Sequence, residues 1–343
     1  MPCPQDSALK ARGIYIDEFR PRLPDVPIQH FLLTHAHSDH MVGLTRTFAR
    51  RPAAPIYCTA QTARLAQIAV KGLTPDHFRV LRYQEPCRLG PQATLWAFPS
   101  FHCDGSAMFL VALHGPVPDV HEPVWNELRP GEPLRILYTG DFRFCLPMRR
   151  ECALLADTLV HRLYYDDTFD DLDVPVPCFS DICQALDRTL THLLSSGRFR
   201  HVYINAAVLG VEPVLRWLAR HRQMRLGLCP RLKTHLRGEQ LQYLLGPHLD
   251  LEGEVVGCPV RVGHRRLSVV RPPDAWVVLT CTAFLCPAAS VKEGLAPTFR
   301  VKFCTHSNHA EINEFKQFVS PLSTNACEEV VRLKELRCRR GAS

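Results

Sequence analysis

An α/β fold in two parts is predicted by three observations on the 343-residue sequence. Short apolar runs of strand length end repeatedly in polar turns: Phe31–Leu33 before Thr34, Leu95–Phe98 shortly before Ser100, and Ile136–Thr139 before Gly140. Strand, helix and strand alternate at His201–Ala206, Val211–His221 and Leu226–Cys229, the order of a parallel α/β unit. With 46% hydrophobic and 22% charged residues, the chain has the composition of a folded domain and the length for two domains and a sizeable core. Extended disorder is excluded over most of it.

The elements follow in order. A helix is expected over Gln61–Val70, ended by Gly72, and a second strand over Ala107–Leu113 follows the Leu95–Phe98 run. An insert begins near Asp170. Pro175 and Pro177 break any regular element, after which Ser180 can cap a helix over Asp181–Leu194 with apolar residues at Ile182, Ala185, Leu186, Leu190 and Leu193. Trp276–Phe284 and Phe299–Cys304 read as strands leading back to the first domain. A helix over Ala310–Val319 then has Asn308 as its N-cap. No internal repeat or low-complexity tract interrupts this order.

Composition narrows the class further. The longest mostly apolar stretch, Trp276–Cys286, is too short to span a bilayer, so no membrane role is expected. Fifteen scattered cysteines form no Cys-x-x-Cys pair, and Met1–Arg12 lacks the apolar core of a secretory leader, which together point to a reducing compartment. A net charge of +7 suits an anionic partner but is shared by many solvated surfaces.

The chemistry is concentrated in Thr34-His35-Ala36-His37-Ser38-Asp39-His40. Imidazole and carboxylate suit zinc and similar divalent ions. On an extended segment His35, His37 and Asp39 project to one face, and a turn at Ser38–Asp39 brings His40 round toward a second ion. Further ligands are expected at later strand ends: His102 before the Ala107 strand, and Asp141 after the Ile136 strand, a carboxylate able to bridge two ions about 3.5–4 Å apart.

These residues carry a resemblance. His35-Ala-His37-Ser-Asp39-His40 with His102 and Asp141 resembles the metallo-β-lactamase superfamily, and the surrounding wording resembles its β-CASP DNA nucleases, the Artemis and Apollo type. The segments concerned are Phe31 to Leu44, His102 to Leu110 and Leu137-Tyr-Thr-Gly-Asp-Phe-Arg143; Met41 to Leu44 and Ile14 to Phe19 lean toward Artemis. Leu163-Tyr-Tyr-Asp166-Asp167-Thr168-Phe169 is similar to the acidic motif that opens the β-CASP region, and Phe303 to Phe315 to the late motif in which a His precedes Ser-Ser-Tyr and a helix.

The resemblance implies an α/β metallo-β-lactamase αββα sandwich with an inserted β-CASP α/β cap domain: residues 1–169, an insert over 170–296, and a returning part over 297–343. It also implies a nuclear, metal-dependent DNA nuclease of repair or end processing, exonuclease or structure-specific endonuclease, acting on single-stranded ends, overhangs or hairpins, with a catalytically weak or inactive β-CASP nucleic-acid-binding protein or a β-CASP ribonuclease as the alternatives. One or two Zn2+ ions are expected, with Mg2+ or Mn2+ as alternatives at the second position, on His35, His37, His102 and Asp141 and on Asp39, His40, Asp141 and His306. Asp39, Asp166 and His306 are the catalytic candidates. Asp39 could also orient or deprotonate water, Asp166 could hold a ligand His in its tautomer, and His306 could bind the second ion or protonate the leaving group. Arg143, Thr168 and Ser307 are the candidates for substrate contact. Arg231, Lys233, Arg237, Arg265, Arg266, Arg300 and Lys302 could line the cleft, and Tyr164, Tyr165 and Phe101 could stack on bases.

The pattern also departs from the family. No His stands near Glu254–Cys258, where the middle motif belongs, only Cys258 and the more distant His264. Ser-Ser-Tyr is Ser307-Asn308-His309, and no apolar closing strand is expected between Leu322 and Cys327.

Overall fold

The computed structural model describes residues 5–20, 26–50, 54–115, 128, 131–171, 175–233, 235–250, 260–263, 274–280 and 297–326. They divide into two compact units, the first from the described residues of Met1–Asp173 and His306–Ser343, the second from those of Val174–Thr305.

The first unit contains two sheets. One is wholly parallel, in the order β1 (Ile14–Ile16), β2 (His30–Leu32), β3 (Ile56–Thr59) and β4 (Phe78–Leu81). The other contains β5 (Cys87–Arg88), β6 (Ala93–Pro99), β7 (Ala107–Leu113), β8 (Leu134–Tyr138) and β9 (Arg162–Tyr165), antiparallel from β5 to β8 and parallel from β8 to β9. Side chains alternate across each sheet, and the alternation gives the central strands two cores. Ile14, Ile16, Leu32, Tyr57 and Leu81 meet Leu95, Ala97, Phe109, Val111, Ile136 and Tyr138 in one cluster that draws on both sheets. The opposite faces bury Tyr15, Phe31, Leu33, Ile56 and Cys58 beneath α2 (Arg46–Ala49) and α3 (Ala60–Ala69), and Phe98, Met108, Leu110, Leu137 and Leu163 beneath α4 (Leu146–Glu151) and α5 (Ala153–Ala156). Strands covered on both faces explain why they read as continuous apolar runs. Each fully buried Leu or Ile contributes about 1.5–3 kcal/mol.

The short α1 (Ser7–Lys10) is capped by the Asp6 carboxylate, which accepts from the Ala8 and Leu9 amides. The same buried carboxylate accepts from Arg162 at 2.7 Å and from the Tyr164 hydroxyl at 2.9 Å, tying the N-terminal turn to β9.

The second unit is a six-stranded, all-parallel sheet. Its strands are β10 (Val202–Asn205), β11 (Leu226–Leu228), β12 (Leu249–Asp250), β13 (Val260–Gly263), β14 (Ala275–Thr280) and β15 (Thr298–Lys302), and its helices are α6 (Phe179–Ser195), α7 (Glu212–His221), α8 (Pro230–Lys233) and α9 (Leu236–Leu245). Ile182, Leu186, Leu190 and Leu193 form the buried stripe of α6, as their spacing predicts. The helix starts at Phe179 after Cys178, ahead of the Ser180 cap read from sequence; Asp181 Oδ2 accepts from the Cys178 amide at 3.3 Å. β14 and β15 both lie in this sheet, and Trp276, Val277, Leu279 and Val301 belong to the insert's own core. Residues 281–284 of the expected strand lie outside the described residues.

The chain re-enters the first unit as α10 (His309–Val319) and β16 (Ser323–Ala326). The expectation that no closing strand follows Leu322 is corrected: β16 pairs in parallel with β9, Ser323 opposite Arg162 and Ala326 opposite Tyr165. An edge strand is held by backbone hydrogen bonds on one side, so Ser-Thr-Asn-Ala serves without an apolar pattern. The fold is the metallo-β-lactamase αββα sandwich with an inserted β-CASP α/β domain.

Candidate metal centre

Every predicted ligand before the insert follows the carboxyl end of a strand in the first unit: His35, His37, Asp39 and His40 after β2, His102 after β6 and Asp141 after β8. Backbone bonds draw these loops together. The Ala107 amide donates to Thr34 O at 2.9 Å and the Arg143 amide to Ser100 O at 2.9 Å. Gly140 has φ of 52° and no room for a side chain, since an added Cβ would lie 2.9 Å from the Thr34 side chain.

Two groups of ligand atoms result, His35, His37, His102 and Asp141 in one, and Asp141, Asp166 and His306 in the other. In the first, His37 Nδ1 lies 2.9 Å from both His35 Nε2 and His102 Nε2. Asp141 Oδ2 lies 3.6 Å from His35 Nε2 and 3.4 Å from His102 Nε2. One proton on His37 Nδ1 cannot serve two imidazoles, so three converging ring nitrogens are poorly explained by hydrogen bonding. Ligands about 2.0–2.1 Å from a tetrahedral ion stand about 3.3 Å apart, and these spacings bracket that value. The donor set fits zinc.

Asp141 faces a second direction. Its Oδ1 lies 3.1 Å from His40 Nε2, and Asp39 Oδ2 is 3.9 Å from the same nitrogen. Asp39 stands outside both groups, its side chain 57% exposed. In the second group His306 Nε2 is 4.0 Å from Asp141 Oδ2, while its Nδ1 is 2.7 Å from Asp166 Oδ2. A carboxylate on one imidazole nitrogen fixes the ring's tautomer and orientation.

The electrostatics follow from burial and from one central carboxylate. Burial, reinforced by His40, pushes the His35 imidazole well below its ordinary value, so the ring is a neutral donor. Burial also opposes charge on His40, but Asp141 and Asp17 on its two nitrogens outweigh it and hold that ring well above its ordinary value. For Asp141, burial is overcome by His40, His102 and His35, which keep the carboxyl well below its usual range.

Asp17, which the sequence reading passed over, completes the centre. It is fully buried at the end of β1 and accepts from the Thr34 amide at 2.8 Å, the Thr34 hydroxyl at 2.6 Å and His40 Nδ1 at 2.8 Å. The available signal was an acidic residue directly after the apolar Ile14–Ile16 strand; its φ of 52° is a strained position visible only in three dimensions.

The substrate candidates each have partners within the protein. Arg143 is buried, an Nη donating to Glu311 Oε1 at 2.8 Å and its Nε 2.8 Å from Oε2 as an ion pair. Ser307 is buried, donating to Phe142 O and accepting from the Phe144 amide at 2.8 Å. Thr168 donates through its hydroxyl and amide to Asp166 Oδ1 at 2.5 and 3.0 Å. Tyr164 stacks on Tyr138 at 4.3 Å and binds Asp6, Tyr165 is buried beneath the Lys316 ammonium, and Phe101 packs against the core beneath α4 and α5. In the second unit Arg237 is buried, paired with Glu212 and donating to Ala206 O at 2.8 Å and Val208 O at 2.9 Å. The expectations on Cys258, His264, Arg265, Arg266 and the Lys233 side chain lie outside the described residues.

The fold is that of the metallo-β-lactamase αββα sandwich with a β-CASP insert, and the cluster of His35, His37, His102 and Asp141 follows its strand ends. Among similar proteins, the 5' exonuclease Apollo of Gallus gallus is 29% identical over 300 residues, covering 85% of this chain and 57% of that protein. Apollo of Mus musculus is 30% identical over 300 residues, covering 85% and 49%. The DNA cross-link repair protein SNM1 of Arabidopsis thaliana is 23% identical over 340 residues, covering 93% and 65%. These relatives bear out the resemblance to the β-CASP group of the Artemis and Apollo type. The chain spans about half the length of the curated Apollo relatives it matches. A solved structure of a protein of unknown function from Enterococcus faecalis V583 superposes with a TM-score of 0.59 at 12% identity, covering 87% of this chain and 75% of that one, which supports the fold alone. No protein-family model matches the chain. No helix among the described residues is long and apolar enough to cross a membrane.

Proposed function

We propose that this chain is a zinc-dependent nuclease that hydrolyses phosphodiester bonds of DNA in repair or end processing, in the nucleus. The observation that carries the reading is the convergence of His35, His37, His102 and Asp141 in a chain similar to proteins named for exonuclease action and DNA cross-link repair. The substrates are single-stranded ends, overhangs or hairpins, cut as a 5′-to-3′ exonuclease or a structure-specific endonuclease.

His35, His37, His102 and Asp141 Oδ2 would hold one ion, and His40 and Asp141 Oδ1, with Asp39, a second, for which Mg2+ or Mn2+ are alternatives. Bound there, such ions acidify water and offset charge on phosphoryl oxygens. Asp17 holds the His40 ring by Nδ1 and leaves Nε2 directed at Asp141. Asp39 is open to solvent and can take up the proton released by the attacking water. Asp166 accepts from His306 Nδ1 and so leaves Nε2, on the Asp141 side, to bind or to deliver a proton to the departing 3′ oxygen.

The test is a panel of end-labelled substrates, namely single-stranded DNA with 5′ phosphate or 5′ hydroxyl, a hairpin, an overhang and RNA, run beside metal analysis. Cleavage of DNA that disappears in His37→Ala and on chelation is expected. Cleavage of RNA alone, or full metal loading with no cleavage of any polynucleotide, would overturn the reading.

A further inference from the structure

The groups around the start of α10 have more order than helix capping requires. The capping box is complete without Arg143: Asn308 Oδ1 accepts from the Glu311 amide at 3.0 Å and Glu311 Oε2 from the Asn308 amide at 3.3 Å. Helix packing is also supplied elsewhere, by Phe315 against Phe142 and Phe144 at ring distances of 4.8 and 5.4 Å. Yet Arg143 pairs with Glu311, one Nη donating to Oε1 at 2.8 Å and Nε lying 2.8 Å from Oε2 as an ion pair, its own amide bound to Ser100 O in the loop that leads to His102. Ser307 adds two bonds to the Phe142 carbonyl, from its amide at 3.0 Å and its hydroxyl at 3.2 Å.

His306 directly precedes the segment that carries both anchors. Its side chain is 21% exposed, so burial does not confine the ring. Its Nδ1 lies 2.7 Å from Asp166 Oδ2, and the rings of His102 and Phe169 flank it at centroid distances of 4.6 and 5.6 Å. The backbone that presents this ring sets, together with these contacts, where Nε2 points. A lone guanidinium two residues from Asp141 would also repel a cation held there. Pairing with Glu311 offsets that charge, and the guanidinium serves as a planar clamp on the helix start.

We infer that Arg143 is a positioning residue for His306: acting through Glu311, it seats the first turn of α10 so that His306 Nδ1 meets Asp166 and Nε2 faces Asp141. The activity arm of the test rests on the nuclease reading; the spectroscopic arm does not.

The first measurement is imidazole 15N–1H NMR of the metal-free protein, with the His306 resonance assigned through His306→Ala. The Nδ1–H signal bonded to Asp166 is expected in the parent, displaced or lost in Arg143→Ala, and partly recovered in Arg143→Lys, which keeps the charge and loses the fork. The second is a double-mutant cycle on turnover. Arg143→Ala is expected to lower kcat by about 100-fold with little change in KM, yet to lower the residual rate of His306→Ala by less than about 2-fold, because the residue acts through the missing ring. Should Arg143→Ala fail to fold, Arg143→Lys and Glu311→Gln take its place in both arms. A parental His306 resonance in the Arg143 and Glu311 variants, or an equal loss of rate with and without His306, overturns the inference. A parent that cleaves no nucleic acid defeats the nuclease reading and leaves the resonance shift to decide this one.

Discussion

Two carboxylate–histidine pairs flank Asp141, and they are assembled by different means. Asp17 and His40 are 23 positions apart, both at strand ends of one parallel sheet, and the Thr34 amide and hydroxyl fix the carboxylate before the histidine is added. Asp166 and His306 are 140 positions apart, the entire insert lying between them. Asp166 is itself well fixed, accepting from Phe142, Thr168 and His306, but its histidine arrives on a separate segment and is more open, 21% exposed against 8% for His40. The first pair is thus a property of local topology. The second depends on where the returning chain is seated.

This contrast can be broken at its centre or at either side. The largest effect is expected from Asp141→Asn, which removes the carboxylate common to both sides: metal content by elemental analysis should fall in both positions and turnover on the order of 1000-fold. Next, Asp17→Asn should weaken metal affinity by about 10–100-fold, since the amide no longer fixes the His40 tautomer, and should lower the thermal midpoint because three buried donors lose a charged acceptor. Asp166→Asn should lower turnover while leaving the ion on His35, His37, His102 and Asp141 in place, so that metal retention separates the two variants. If Asp17→Asn and Asp166→Asn lose the same metal at the same concentration of chelator, the distinction between the pairs is wrong. The smallest effect is expected from Thr168→Val, which removes one hydroxyl donor from Asp166 at a cost of about 1 kcal/mol; a loss of nucleic-acid affinity instead would restore Thr168 as a substrate contact.

Much of the site was legible because metal ligation imposes residue types that burial alone does not select. His35, His37, His40, His102 and Asp141 declared themselves as polar residues placed where apolar strands stop, and the same logic would have found Asp17 after Ile14–Ile16. The substrate contacts were not legible for a related reason. Arg143, Ser307 and Thr168 stand beside functional residues in the chain, but adjacency says nothing of which neighbour a long or hydroxylated side chain will choose. Here each chose the scaffold: Glu311, the Phe142–Phe144 backbone and Asp166. The closing strand was missed because edge pairing is written in the backbone, which Ser323–Ala326 supplies without an apolar signature.

By itself the amino-acid sequence determined the strand-and-turn rhythm of the first unit, the α/β alternation of the second and the identity of the metal-capable side chains, since these rest on local periodicity and on the chemistry of single residues. Only the tertiary structure decided that Asp17 backs His40, that Arg143 holds Glu311, and that His306 meets Asp166 across the insert. Such pairings join residues far apart in the chain, and packing rather than spacing selects them.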